Sequence, residues 1–468
     1  MLFLELDLIP VKFFLIGAVA FLVLGQAEAA RAQSQTSQPA AAEPAAAVPG
    51  AVRPGAGRAY RALFGGATTD PSMHKSLDLT VSIAEAYDDN TAGYAFGGGL
   101  GPTSPLLVSG FYTNLVPSLE YRWIGRHATL TTNFGSDLRY YASEGEFIGS
   151  SHYGAVGFSS KVGRGELAAS QSLTYSPSYF YGVLPSLEPT GSATPVVGQA
   201  LSDDHAYFSD SAINFSQDLS SRSRLTALAQ YRLAKFPDDV TARDLQSYAL
   251  GGRYGYELSR NTTLHLGYVY RTGEYSYVVS SRPTVVHDLD IGVDYHRPIS
   301  LSRRTHFDFS VGSSIVSVPN SATTTYTNQL GVVGSATLSR DMGRTWRAQL
   351  AYHRGAGFAA GFNEPVFSDA AVASIEGFFS RRVDFHGEGG FSDGSAGNTS
   401  AMGNDFRTYN ANVRLRVGIT AALAVYGEYL YYSYDVGEAV LTAAGVPKNL
   451  DRNSARLGLT LWLPLVRK

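Results

Sequence analysis

Two short runs between Ala411 and Tyr432 alternate apolar and polar residues at every second position. The first run sets three aliphatic residues against three polar ones: Val413, Leu415 and Val417 against Asn412, Arg414 and Arg416. The second run sets Leu423, Val425, Tyr429 and Tyr431 against Glu428. Successive side chains of a β-strand point to opposite faces, so the pattern predicts a β-hairpin with one apolar and one charged face.

The same hairpin unit recurs from residue 75 to the end of the chain. Short turns are predicted near residues 125, 164, 220, 260, 301, 341, 381 and 420. Longer connections rich in Gly, Asp and Pro are predicted near 88–110, 143–150, 182–203, 236–243, 278–283, 318–325, 359–367, 393–405 and 435–450. Seventeen connections imply eighteen antiparallel strands, with sixteen as the alternative because the runs at 151–162 and 368–379 are weak. Pro117 and Pro177 fall inside predicted strands, where a ladder N–H is lost, so bulges or shifted strand ends are expected there.

Composition decides what the apolar faces of these strands contact. Charged residues make up 16% of the 468-residue chain, while 49 glycines and 29 tyrosines are present. The mean hydropathy of −0.06 is too low for a helical membrane protein, and no internal apolar run reaches the roughly 18–20 residues of a spanning helix. Strands that are apolar only on alternate residues suit a transmembrane β-barrel, so we predict an all-β, up-and-down barrel over residues 75–468. A β-propeller also repeats at about forty residues, but no recurring blade motif is present.

The N-terminal part predicts export from the cytoplasm. Phe13 to Gly25 is an apolar run that follows Lys12 and leads to Ala30-Arg31-Ala32, which is the pattern of a cleaved signal peptide over residues 1–32. An uncleaved anchor is the alternative. Residues 33–74 are rich in Ala, Pro, Gln and Ser, and we expect them to be a disordered periplasmic tether.

The charged face of the strands holds the candidate functional residues. An unpaired Arg or Lys that faces lipid near the midplane costs roughly 2–4 kcal/mol, so these residues are expected to face the barrel lumen. The candidate pore-lining residues are Glu120, Arg122, Arg139, Arg232, Arg253, Arg271, Asp290, Asp294, Asp308, Arg347, Arg414, Arg416 and Glu428. Arg414 and Arg416 could meet Glu428 across the hairpin. Two arrangements remain open: a mutually neutralised wall, or separate positive and negative ladders that orient polar solutes.

The aromatic residues predict interfacial girdles, because amphipathic rings favour the headgroup level. The predicted girdle clusters are Tyr140-Tyr141, Tyr179 to Tyr181, Tyr254 with Tyr256, Tyr268 with Tyr270, and Tyr429 to Tyr434. An aromatic slide for sugars would need these rings on the polar face, where only Tyr141, Tyr426 and Tyr432 are expected.

Enzymatic chemistry has little support in the sequence. No serine-hydrolase elbow, zinc-protease, Walker or dinucleotide motif occurs in a supporting context, so no enzyme, cofactor or metal site is predicted. A barrel hydrolase built on His296 or His306 is kept as a minor hypothesis. The acidic pairs Asp88-Asp89, Asp203-Asp204 and Asp238-Asp239 are interpreted as solvated turns rather than cation sites. A net charge of −3 gives no reason to expect a nucleic-acid partner.

The signal peptide, the low-complexity tether, the opening strand that ends in Tyr87-Asp88-Asp89-Asn90 and the series of hairpins resemble the β-barrel porin families of Gram-negative outer membranes. The resemblance covers residues 75–468 as a pattern. It implies contact with outer-membrane lipid, insertion by the barrel-assembly machinery and passage of polar solutes. Some members lie beside exopolysaccharide export systems, which implies a path for polysaccharide. The chain ends Leu465-Val466-Arg467-Lys468, whereas such barrels usually end in an aromatic residue that the assembly machinery recognises.

The sequence therefore predicts an outer-membrane channel for passive diffusion or export of polar solutes, with saccharides and exopolysaccharide as candidates. The alternative is a barrel whose lumen is plugged and which has a structural, adhesion or envelope-assembly role.

Overall fold

A computed structural model gives the fold of the chain. It describes residues 74–93, 106–142, 146–147, 150–179, 200–236, 244–276, 283–298, 305–319, 326–343, 345–358, 365–396, 405–437 and 449–467. The predicted signal peptide and nearly all of the predicted tether lie outside these residues, as do Phe180, Tyr181 and the pair Asp238-Asp239. No helix among the described residues has the length and hydropathy needed to cross a membrane.

The described residues form one closed antiparallel sheet. Its strands are β1 (Lys75–Gly93), β2 (Leu106–Ile124), β3 (Ala128–Tyr141), β4 (Glu146–Phe147), β5 (Ser151–Val162), β6 (Gly165–Tyr179), β7 (Ala200–Asp218), β8 (Ser223–Lys235), β9 (Leu245–Ser259), β10 (Thr262–Tyr275), β11 (Thr284–Pro298), β12 (Thr305–Pro319), β13 (Tyr326–Met342), β14 (Trp346–Gly357), β15 (Val366–Ser380), β16 (Val383–Ala396), β17 (Asp405–Gly418), β18 (Leu423–Val436) and β19 (Asn449–Arg467).

Each long strand pairs with the strands before and after it in the chain, and β1 pairs with β19 to close the barrel. The two-residue β4 pairs only with the end of β3, and β3 continues its pairing with β5. The barrel wall therefore has eighteen strands, and the prediction of an eighteen-stranded up-and-down barrel is confirmed.

The connections alternate between the two ends of the barrel as predicted; those at one end have two to six residues, and those at the other end have six to twenty. We call these ends the turn side and the loop side. Gly163 and Gly343 lie in two of the turns with φ angles of 61° and 69°. Glycine adopts this left-handed conformation without a Cβ clash, which permits the tight reversal. β1 begins on the turn side, and β19 ends there.

The two faces of the wall differ in the way that the alternation predicts. On β19 the odd positions from Leu457 to Leu463 are exposed and apolar, while Arg456 and Thr460 are buried on the other face. The exposed positions form an apolar outer belt. Tyr254, Tyr256, Tyr268 and Tyr270 lie in this belt with 38–45% of their surface exposed. That they form an interfacial girdle stays a prediction.

Tyr434 corrects one girdle assignment. It is only 1% exposed, and it shares the inward face of β18 with Tyr432 and Glu428 because all three residues occupy even positions. Tyr141 is also buried on the inward face of β3, as predicted.

Proline disturbs the ladders in two different ways. At Pro177 the β6–β7 register shifts between Ser176 and Ser178, so the predicted irregularity is confirmed. At Pro117 the β2–β3 pairing is interrupted without a change of register, so no bulge forms there. A further shift in β19 brings Pro464 opposite Asp78 and leaves Leu465 unpaired with β1, which fits the missing N–H of proline.

Candidate functional site: the interior of the barrel

The structure places the candidate pore-lining residues on inward-facing strand positions. Twelve of them share a face with buried residues of the same strand: Glu120, Arg122, Arg139, Arg232, Arg253, Arg271, Asp294, Asp308, Arg347, Arg414, Arg416 and Glu428. Asp290 lies on β11 opposite Gly267 of β10, and its side chain is outside the described set. That these residues line a solute path stays a prediction.

An ion-pair cluster lies on β9, β10 and β11. Arg253 Nη2 donates to both carboxylate oxygens of Asp294, at 2.8 and 2.9 Å. His265 Nδ1 lies 3.2 Å from the same carboxylate. Gly292 makes room for the imidazole ring, because a Cβ at this position would lie 2.8 Å from His265 Nε2. A glycine on β11 thus allows the three side chains to gather on the inner wall.

Arg271 makes a contact that spans the interior. Its Nε donates to Asp288 on the neighbouring strand at 2.7 Å. Its Nη1 donates to the backbone carbonyl of Ala356 at 2.7 Å. Ala356 lies at the end of β14, four strands away from β10 around the wall. The interior on the loop side is therefore bridged by a side chain.

Other ion pairs lie between residues of adjacent strands. Arg232 Nε lies 2.6 Å from Asp210, and Arg347 Nε lies 3.1 Å from Asp341 close to a turn. The Arg232 pair is partly exposed, so it adds little to stability.

The hairpin of β17 and β18 forms contacts that differ from the proposed ones. Arg416 Nε donates to Asp384 of β16 at 2.7 Å, and no described contact joins it to Glu428. Glu428 accepts a hydrogen bond from Asn412 Nδ2 at 3.1 Å and lies 3.8 Å from Arg456 of β19. Arg414 is opposite Glu428 in the register, yet its Nε is buried and without a hydrogen-bond partner among the described residues. Each strand has two neighbours, and the hairpin sequence reveals only one of them.

A buried cluster joins the first and last strands. Arg452 of β19 forms an ion pair with Asp88 of β1, and both side chains are at most 1% exposed. Arg456 Nη2 donates to the Tyr112 hydroxyl at 2.9 Å. Arg139 pairs with Asp137 at 3.2 Å, and its guanidinium lies 6.0 Å from the centre of the Tyr112 ring. We call these residues the seam cluster: Asp88, Tyr112, Asp137, Arg139, Arg452 and Arg456.

The seam cluster changes the interpretation of one acidic pair and adds residues that the sequence did not single out. Asp88 is engaged by Arg452, and Asp89 accepts hydrogen bonds from Asn453, so protein groups occupy the pair considered for cations. In the sequence, only their inward-facing position in the alternation distinguishes Arg452 and Tyr112. Their contacts with other strands form only when the barrel closes. Among the residues that the structure describes, no group of three acidic or histidine side chains is placed to hold a metal ion.

Apolar side chains on the inward face form a buried cluster on the loop side, which the sequence did not predict. They form one contact cluster, and each is at most 7% exposed. The members are Ala234, Phe236, Leu245, Tyr275, Val286, Val316, Ala356, Phe358, Val366, Phe406, Tyr432, Tyr434, Val436 and Leu450. We call this cluster the apolar layer. Its members come from ten strands and from the residues that directly follow two of them, so it extends around most of the wall.

Two features of the interior matter for transport. Charges of opposite sign are intermixed in contact pairs, which favours a neutralised wall over separate ladders. Exposure also changes along the barrel. Arg347 and Asp341 near the turn side are about one third exposed, whereas Arg452 and Asp88 near the loop side are buried. The Arg347–Asp341 pair on the turn side is thus more accessible than the Arg452–Asp88 pair on the loop side, where charged and apolar side chains are buried together.

Comparisons with known proteins give no family assignment. No family model matches the chain, and no curated protein matches it. Solved structures align with it over most of their length. OccK2 (OpdF) of Pseudomonas aeruginosa in complex with glucuronate has a TM-score of 0.42 and 11% identity, covering 84% of this chain and 98% of that one. OpdK of the same organism with vanillate has a TM-score of 0.39 and 12% identity, covering 83% and 98%. OccAB3 of Acinetobacter baumannii has a TM-score of 0.40 and 11% identity, covering 84% and 99%. These alignments, with TM-scores near 0.4 and identities near 11%, are too loose to decide function.

The class of the protein follows from its own geometry. A closed antiparallel barrel has no free sheet edge, and its strands pair with one another around the wall, as in a structure that spans lipid. The apolar outer belt, the exposed tyrosines and the alternation of short turns with long loops are those of an outer-membrane barrel. The chain is an outer-membrane β-barrel of eighteen strands. By the usual orientation of such barrels the turn side faces the periplasm.

Proposed function

We propose that the barrel is a porin-like channel for the passive passage of small polar solutes, saccharides among them, across the outer membrane. The observation that carries the proposal is the inward face itself. Eighteen strands enclose an interior wide enough for an aqueous channel, and charged pairs such as Arg253–Asp294 and Arg416–Asp384 line it.

Paired charges suit a path for polar solutes. A single unpaired charge in a narrow lumen would trap a counter-ion, whereas a paired wall offers donors and acceptors to hydroxyl groups at lower cost. Arg253 and Asp294 are each 18% exposed, so they remain in reach of solvent. Their guanidinium and carboxylate groups can hydrogen-bond a sugar that passes along the wall. Export of a longer polysaccharide, which the sequence resemblance implies, would use the same path.

Single-channel recording tests this proposal. The refolded mature protein in planar bilayers is expected to show discrete conductance steps, which neutral oligosaccharides in the bath reduce reversibly. Steps that are indifferent to sugars would favour a general pore without saccharide contacts. A correctly folded barrel that never conducts would exclude the channel.

A second candidate function rests on the apolar layer. If the layer closes the loop side permanently, the protein is a plugged barrel with a structural, adhesion or envelope-assembly role. Hydrophobic constrictions stop ion flow when water leaves them, and the layer contains Phe358 and Phe406 at 7% and 1% exposure.

One deletion and one set of side-chain truncations separate the possibilities. Removal of residues 33–74 that opens conductance would identify the predicted tether as the plug. Conductance that appears only after truncation of layer residues would instead identify the apolar layer as the closure. Conductance of the unmodified barrel would exclude a permanent plug of either kind.

A further inference from the structure

The charges of the connections separate by side. The eight short connections on the turn side contain no acidic residue and nine arginines: Arg126, Arg164, Arg222, Arg260, Arg303, Arg304, Arg344, Arg381 and Arg382. The nine long connections on the loop side contain eight acidic residues and three basic ones: Glu144, Glu146, Glu188, Asp238, Asp239, Asp244, Glu364 and Glu438, with Arg243, Arg282 and Lys448. The chain as a whole has a net charge of −3, yet its turn-side connections carry an excess of basic residues and its loop-side connections an excess of acidic ones.

Six of the turn arginines are described, and all six are exposed: Arg126, Arg164, Arg222, Arg260, Arg381 and Arg382. We call these six residues the arginine rim. Within the described part of the chain, their guanidinium groups have no ion pair with a carboxylate. Two nearby carboxylates, those of Asp218 and Asp341, are held by the inward-facing Arg224 and Arg347, at 2.7 and 3.1 Å. Glu257 and Glu376 also lie near the turn-side ends of their strands, so the arginines outnumber the nearby acidic residues without being the only charges there.

The arrangement has no evident structural purpose. Hairpin turns are satisfied by glycine, asparagine or aspartate, and an exposed arginine in a turn adds little to stability. Within the described barrel interior, by contrast, arginines such as Arg253 and Arg416 are matched by acidic partners. Unmatched positive charge is therefore concentrated where the turns surround the periplasmic opening.

We propose that the arginine rim recruits polyanionic solutes, specifically carboxylate-bearing oligomers, to the periplasmic mouth of the barrel. Guanidinium groups bind carboxylates through paired hydrogen bonds. Adjacent turns are two strands apart, about 10 Å along the rim, so one oligomer with closely spaced carboxylates reaches several arginines. Such a field raises the local concentration of anions and their rate of entry by roughly 10- to 1000-fold at low salt.

The proposal rests on the proposed channel for its use in transport, since recruitment matters only if a path follows. It raises the rate at which anionic oligomers enter from the periplasmic side, while their concentration gradient sets the direction of net passage. The acidic excess of the loop connections does not favour their capture from outside.

A binding assay tests the proposal without any need for conductance. The full mature chain is embedded in phosphatidylcholine nanodiscs, where both rims are accessible. Binding of a fluorescent oligogalacturonate is compared with that of a neutral maltodextrin of the same length. In the test variant all six residues of the arginine rim are replaced by glutamine. In the matched control Arg243, Arg282 and Lys448 of the loop side are replaced by glutamine.

The wild type is expected to bind the oligogalacturonate and not the maltodextrin, and binding should weaken steeply with NaCl because the Debye length falls below about 10 Å above 0.1 M. The test variant should bind at least about tenfold more weakly, while the control variant should bind like the wild type. Equal binding by the wild type and the test variant would overturn the proposal. Binding that vanishes once phosphatidylglycerol is added to the nanodiscs would also overturn it, because the arginines would then be held by lipid phosphates.

A current measurement then connects recruitment with transport. If the barrel conducts, oligogalacturonate added on the turn side should block the current at lower concentration than on the loop side. A silent barrel that still binds the oligomer would refute the channel and leave the arginine rim as a binding surface. A conducting barrel that does not bind the oligomer would refute the arginine rim as a binding surface and leave the channel standing.

Discussion

Truncation of Phe358 should widen the barrel at its loop side. The Phe358 ring is 7% exposed and lies 6.1 Å from the ring of Tyr275 across the interior. It also covers Gly273, where an added Cβ would fall 2.5 Å from two ring carbons. Phe358→Ala removes these contacts, at a cost of about 3–5 kcal/mol in the free energy of unfolding if the site does not collapse. Water can then enter the apolar layer, so the single-channel conductance should increase.

Phe379→Ala is the matched control for this experiment. Phe379 is 64% exposed on the outward face of β15, so its truncation removes a ring of the same size without touching the interior. The conductance of this variant should equal that of the wild type. The reasoning is refuted if folded Phe358→Ala leaves the conductance unchanged, or if both variants raise it equally.

Three further substitutions test other parts of the account. Arg452→Met leaves Asp88 buried without its partner, so it should lower the free energy of unfolding in urea by about 3–5 kcal/mol. The double variant with Asp88→Leu should recover much of this loss. No recovery would mean that the ion pair is not the source of the lost stability. Leu457→Arg places a charge near the middle of β19 on the outer belt, where Leu457 is 66% exposed, and should destabilise the barrel in vesicles by about 2–4 kcal/mol relative to Leu457→Ala; equal stability would place this position outside the lipid. Arg416→Gln leaves Asp384 without its 2.7 Å partner, so the reversal potential in a KCl gradient should shift towards cation selectivity, and an unchanged potential would remove this pair from the conduction path.

Strand content and topology could be predicted because one face of each strand is apolar along most of its length. On β17 the exposed Val413, Leu415 and Val417 follow this alternation, whereas the exposed Asp405 and Arg407 near the loop side are charged. A short turn every forty residues then fixes the pairing order, since antiparallel neighbours must follow one another in an up-and-down barrel. The run at 151–162, whose alternation is weak, forms β5, because β3 and β6 each need a second neighbour in the closed sheet.

The interior could not be predicted to the same depth. Near the loop side the polarity of the two faces is reversed on β17, where Phe406 is buried on the inward face and Arg407 is exposed on the outward face, so the alternation no longer distinguishes lumen from lipid. The apolar layer therefore escaped the sequence pattern. The ion-pair partners could not be predicted from the sequence pattern for a second reason. Arg416 can reach β16 or β18, and only the register of the closed wall selects Asp384 of β16 as its partner.

The sharpest test of the account asks whether water or lipid lies on each face of the wall. The chain has no cysteine, so single thiols can be introduced without interference. Ser172 and Leu173 are consecutive residues in the middle of β6; Ser172 lies on the inward face, and Leu173 is 42% exposed on the outward face. In vesicles, Ser172→Cys should react readily with a membrane-impermeant thiosulfonate, and Leu173→Cys should react far more slowly because its thiol lies in lipid. The reverse order of rates, or an unreactive thiol at both positions of a folded barrel, would contradict a water-filled interior.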